Sequence, residues 1–116
     1  MTDLEPIDPR QAVDLYIEHK KTEYAYSTVQ SHKSRLKYFL EWCARNDIEN
    51  MNTLTGCDLY AYRVWPKNEG DLNRVSLKSA LATLRAFTRF CESIEGVEQD
   101  LHVKIQLPQL SKNETV

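Results

Sequence analysis

The chain has 116 residues, 41% of them apolar and 28% charged, with a net charge of −2, the balance of one globular domain able to bury roughly two-thirds of its unfolded surface. No apolar run approaches the ~20 residues needed to span a bilayer, and the opening MTDLEPIDPR lacks the basic-then-apolar order of a signal peptide, so a cytoplasmic protein without membrane contact is expected. The three cysteines, Cys43, Cys57 and Cys91, form no CxxC pair and have no histidine at zinc spacing; they argue against a disulfide framework or a metal site, and no cofactor is implied.

Four helices are expected in chain order. Asp8-Pro9-Arg10-Gln11 is a helix start, with Asp8 as cap, Pro9 at the first helical position and Gln11 completing a capping box. Ala12, Val13, Tyr16 and Ile17 then form one apolar stripe ending near Lys21. Ser27-Thr28-Val29-Gln30 repeats the signature with Ser27 as cap, and Val29, His32, Leu36, Phe39, Leu40 and Cys43 follow at helical spacing to Asn46. Thr55-Gly56-Cys57-Asp58 is a third box, opening a short helix with Leu59, Tyr62 and Val64 on its stripe. Pro66 should end that helix at Trp65.

The last helix is the longest, with Asn73 as its cap. Leu77, Ala80, Leu81, Leu84, Thr88, Cys91 and Ile94 line one side, Phe87 stands at the edge, and Gly96 occupies the C-terminal cap position. Cys43 and Cys91 fall on these apolar faces and read as small core hydrophobes. No segment before residue 97 alternates like a strand, so the domain is expected to be all-α over 1–96. In the tail Leu101, Val103, Ile105 and Leu107 alternate with polar residues up to Pro108. A lone strand would lack a partner, so 97–116 is expected to be an extended linker leaving the helices.

Charge is segregated along this pattern. Residues 24–40 and 72–91 together hold seven of the fifteen bases and none of the seventeen acids, which leaves eight bases against seventeen acids elsewhere. A polyanion responds to such local fields more than to net charge. At 100° per residue the second helix turns Gln30, Ser31, Ser34, Lys37 and Tyr38 outward, with Lys33 and Arg35 on the flanks. The fourth turns out Val75, Lys78, Ser79, Ala82, Arg85 and Arg89, with Ser76 and Thr83 at the edge. Small hydroxyls that bond phosphate oxygens, interleaved with counterion-releasing bases, suit a nucleic-acid groove. The ordinary alternative is a solvated helix face. Candidate DNA contacts are Ser27, Gln30, Ser31, Lys33, Ser34, Lys37, Arg74, Ser76, Lys78, Ser79, Thr83 and Arg85.

Residues 27–46, STVQSHKSRLKYFLEWCARN, resemble the second helix of the N-terminal core-binding domain of tyrosine recombinases, the phage-integrase family, through Ser27/Thr28, Leu36, Phe39, Trp42 and Cys43. Three further patterns follow in order: Leu54-Thr55 with Asp58-Leu59 and Tyr62; Ser76-Leu77, Leu81, Leu84-Arg85, Phe87 and Phe90; and Lys104-Ile105-Gln106-Leu107-Pro108. The resemblance covers roughly residues 8–110, and its spacing and acidic balance look most like an archaeal branch. It implies a four-helix SAM-like bundle forming half of a clamp on duplex DNA, with the second and fourth helices in the major groove. It also implies a C-terminal catalytic domain and further recombinase protomers as partners.

Catalysis in that family uses a tyrosine nucleophile with an arginine, lysine and His-x-x-Arg set around the phosphate. This chain ends about where that domain would begin, so the chain itself is expected to be non-catalytic. His32-Lys33-Ser34-Arg35 matches His-x-x-Arg literally, but it lies inside the second helix with His32 on the apolar face, and reads as packing. Tyr16, Tyr62 and Trp42 read as core. Two other readings stand beside the recombinase domain: a helical protein-interaction module, and a stand-alone DNA-binding regulator without a catalytic domain.

Overall fold

A computed structural model describes residues 3–65 and 74–107, and the chain there is all helical. Helix α1 spans Pro9–Lys21, α2 Tyr26–Arg45, α3 Gly56–Trp65 and α4 Arg74–Ser93, with short 3-10 turns at Met51–Thr53 and Leu101–Lys104. No strand occurs among the described residues. Helices α1, α2 and α4 pack against one another, and the final 3-10 turn lies on α4 and α3.

The apolar stripes meet as their spacing dictates. Leu36, Phe39, Leu81 and Leu84 are all buried at the α2–α4 seam. Around them the rings of Tyr16, Phe39, Tyr62 and Phe87 meet edge to face, with centroids 5.5–5.8 Å apart, an arrangement that adds to the burial of their large apolar surfaces. Trp42 closes this cluster against Tyr62. Cys43 and Cys91 are buried in it, and burial pushes both thiols up to about 12, so they pack as neutral hydrophobes. Val64, expected on the α3 stripe, is instead exposed.

Two of the caps form as written. Asp8 accepts from the Gln11 amide at 2.7 Å, and Thr55 and Asp58 exchange backbone bonds at 3.0 and 3.2 Å, satisfying amides that a helix start leaves open. The second does not. Helix α2 begins at Tyr26 with Ala25 as its cap and no side-chain bond there, because the Val29 amide reaches back to the Ala25 carbonyl. Ser27 thus sits inside the first turn, its carbonyl accepting from Ser31 Oγ. The Asn73 cap lies outside the described residues.

The end of α4 also differs from expectation. The left-handed residue is Glu95, at φ 62°, and Gly96 follows it. The Gly96 amide bonds to the Cys91 carbonyl and the Glu95 amide to that of Glu92, the paired bonds of a Schellman motif displaced one residue toward the N-terminus. Space at Gly96 is tight instead, since a Cβ there would stand 3.1 Å from Ile7 Cγ2, which would have to give way slightly.

The largest correction concerns the tail. Residues 97–107 neither extend away as a linker nor form a strand. Val97, Leu101 and Ile105 are buried in the same core, while Val103 is exposed. The 3-10 turn at Leu101–Lys104 replaces period-two alternation with a near-helical one, which brings Leu101 and Ile105 to one side. Glu92 of α4 holds this turn. Its buried carboxylate accepts from the amides of Asp100 and His102 at 3.0 and 2.9 Å and meets His102 Nδ1 at 2.6 Å.

Candidate nucleic-acid interface

Helix α4 presents one exposed row, Lys78, Ala82, Arg85, Arg89 and Ser93, at the i, i+4, i+7, i+11 and i+15 positions that share a helix face. The row carries three cations and no acid. From Lys78 to Arg89 it rises roughly 16 Å, more than the ~12 Å width of a major groove. Lys78, Arg85 and Arg89 form no ion pair among the described residues, so their charge is free to act outward.

The candidate residues are not all brought together. A concavity of about 230 Å³ between α2 and α4 is lined by Arg35, Tyr38, Val75, Ser76, Ser79 and Ala80. Arg35 spans the seam, its Nη1 donating to Thr83 Oγ1 at 3.1 Å. Thr83 is buried; its hydroxyl ties the helices together and does not lie on the outer surface, contrary to its expected edge position. Ser27, Ser31, Lys33, Ser34 and Lys37 are exposed, Gln30 is half-buried, Ser76 is exposed and Ser79 half-buried. Lys33 lies across α2 from Arg35, since two residues turn a helix by about 200°. Lys37 borders a different groove, beside Asp8, Pro9, Arg10 and Glu41. The α2 lysines therefore stand apart from the α4 row. The Arg74 side chain lies outside the described residues.

The structure adds groups that charge segregation along the sequence passed over. An open cleft of about 640 Å³ beside the α4 row is lined by His19 and Lys20 at the end of α1 and Tyr24 just after it, by Ala82, Arg85, Ala86 and Arg89 of α4, and by His102 and Leu107 of the tail. Arg63 of α3 joins Arg85 at an adjoining hollow. Helix α1 carries Asp14 and Glu18 on other faces, so its mixed composition concealed Lys20.

His32 and Arg35, the literal His-x-x-Arg match, are each occupied in packing. His32 Nδ1 lies 2.9 Å from the Tyr16 hydroxyl and its ring stacks on Tyr16. Burial, then the nearby charges of Arg35 and Lys20, hold its pKa below the usual 6.5, while burial pushes the Tyr16 phenol up to about 12. A protonated phenol thus donates to a neutral imidazole. Because the folded pKa is lowered, protonation favours the unfolded chain; this stability is present above pH 6.5 and lost as pH falls through the folded value. Melting temperatures of His32→Gln should accordingly fall less than those of the parent between about pH 7 and pH 5; parallel curves would mean that His32 titrates alike in both states.

The fold and these surfaces define the class. The chain matches the family model for the phage integrase N-terminal SAM-like domain over residues 13–93. It belongs to that family, a recombinase-associated, all-α domain. Among solved structures it is similar to the N-terminal domain of a phage integrase/site-specific recombinase from Haloarcula marismortui, with 32% sequence identity and a TM-score of 0.86 over 90% of this chain and 99% of that one. No curated protein matches. No helix among the described residues is long and apolar enough to cross a membrane.

Proposed function

We propose that this chain is the DNA-binding domain of a site-specific tyrosine recombinase, holding duplex DNA in the cytoplasm through the outer faces of α2 and α4. The observation that carries this reading is the exposed, acid-free row of Lys78, Arg85 and Arg89 on α4 in a domain of the integrase family. The Arg35, Tyr38, Ser76 and Ser79 concavity continues that surface onto α2. Phosphates would bind the row, while small residues such as Ala82 let the helix backbone approach the groove wall.

Strand cleavage and joining are assigned to a separate catalytic domain acting with further recombinase protomers. The two residues here that imitate a catalytic motif are engaged with Tyr16 and Thr83. Binding by this domain should be dominated by counterion release. For about five neutralised phosphates, log K should fall with log salt at a slope of roughly −4 to −5. Fluorescence anisotropy of labelled duplex across a salt series measures that slope directly. A slope near zero, or no binding at low salt, would exclude the reading in favour of a protein-interaction module.

A further inference from the structure

The cleft at the C-terminal ends of α1 and α4 has features that a solvated helix face does not require. Its lining includes Ala82, Ala86 and Phe90, and Lys20, Arg85 and Arg89 are drawn to it from two helices far apart in sequence. The Lys20 ammonium is already positioned: it lies 4.8 Å from the centroid of the Tyr24 ring and 5.5 Å from that of Tyr16, and its side chain is only 15% exposed. A lysine held in this way has given up most of its rotamer freedom, so an anion binding there loses less entropy on contact.

The two acids nearby are both engaged. Glu23 reaches His19 at 3.0 Å and Lys20 at 3.5 Å, whereas Glu92 is turned inward to His102 and two backbone amides. Only Glu23 would compete with an incoming anion. A lining in which three cations stand among small side chains suits a chain of regularly spaced phosphates.

We propose that this cleft seats one phosphodiester strand of the duplex, with Lys20, Arg85 and Arg89 contacting its phosphates. The DNA-facing surface then includes the last turn of α1 in addition to α2 and α4. This assignment rests on the DNA-binding reading above and adds Lys20 of α1, which that reading does not contain.

Anisotropy titrations of duplex DNA against salt, with the intact chain and four variants, test it. Lys20→Gln and Arg89→Ala should each reduce the magnitude of the log–log slope by about 0.9, equivalent to roughly eightfold weaker binding at 0.1 M salt relative to 1 M. Lys21→Ala, one residue along but paired with Glu18 at 2.8 Å and outside the cleft, should leave slope and affinity unchanged. Glu23→Gln should strengthen binding. Glu23 is exposed, so its variant reports on the cleft even if loss of the Lys20–tyrosine contacts lowers the melting temperature of Lys20→Gln. A parental slope in Lys20→Gln, or parental affinity in Glu23→Gln, overturns the proposal while leaving DNA binding by α2 and α4 intact, whereas a parental slope in Arg89→Ala removes Arg89 from the cleft and from the α4 row alike. Absence of salt-dependent binding by the parent chain would instead remove the DNA reading itself.

Discussion

Reversing two charges on the α4 row, Lys78→Glu with Arg85→Glu, is expected to weaken duplex binding by about a hundredfold or more at 0.1 M salt. Each lost phosphate contact removes close to one power of salt dependence, and the new carboxylates add repulsion. The fold should not notice, because both side chains are exposed and form no ion pair among the described residues. The matched control is Arg10→Glu with Lys21→Glu, which changes net charge equally on the exposed side of α1. Anisotropy and thermal melts on the two doublets separate the possibilities. Equal losses in both would show that only net charge matters and that no docking face exists. Intact binding in the α4 doublet would move the interface elsewhere.

The second large effect is expected at Glu92, where Glu92→Ala should destabilise the domain by about 2–4 kcal/mol. The carboxylate accepts from two amides and meets the His102 ring, all within a single turn of chain. Its loss leaves those donors without an acceptor in a partly buried site, and Leu101 and Ile105 lose the clamp that keeps them in the core. For a domain of this size the melting temperature should drop on the order of 10–30 °C. Hydrogen exchange gives the sharper readout: the amides of Asp100 and His102 should lose protection before those of α2. A melting temperature within about 2 °C of the parent would show that apolar burial alone holds the tail.

Local sequence determined a good deal of this protein. Each helix interior follows from apolar residues at helical spacing, and the Asp8 and Thr55 caps formed because their partners lie three residues away. The Leu36, Phe39, Leu81 and Leu84 seam was legible for the same reason: a stripe on a helix must be buried against another stripe. The apolar positions of the family motifs were legible because Leu36, Phe39, Leu81 and Leu84 are core positions in order. The segregation of bases on α2 and α4 was legible too, because composition along a helix needs no tertiary information.

What only the tertiary structure decided involves groups distant in the chain. Asn52 joins the carbonyls of Glu5 and Gly96 at 2.8 and 2.6 Å, and nothing around Asn52 signals either partner. The alternating tail read as extended because its partner, Glu92, contributes a buried carboxylate that local periodicity does not reveal. At the interface, helix rotation set Lys37 beside α1 and buried Thr83 beneath Arg35, while the packing of α1 against α4 brought Lys20 to the Arg85–Arg89 cleft. Spacing within a helix fixes which residues share a face, since the backbone repeat is rigid. Which faces of different helices adjoin depends on the packing of the whole core, and that was settled only when the four stripes closed together.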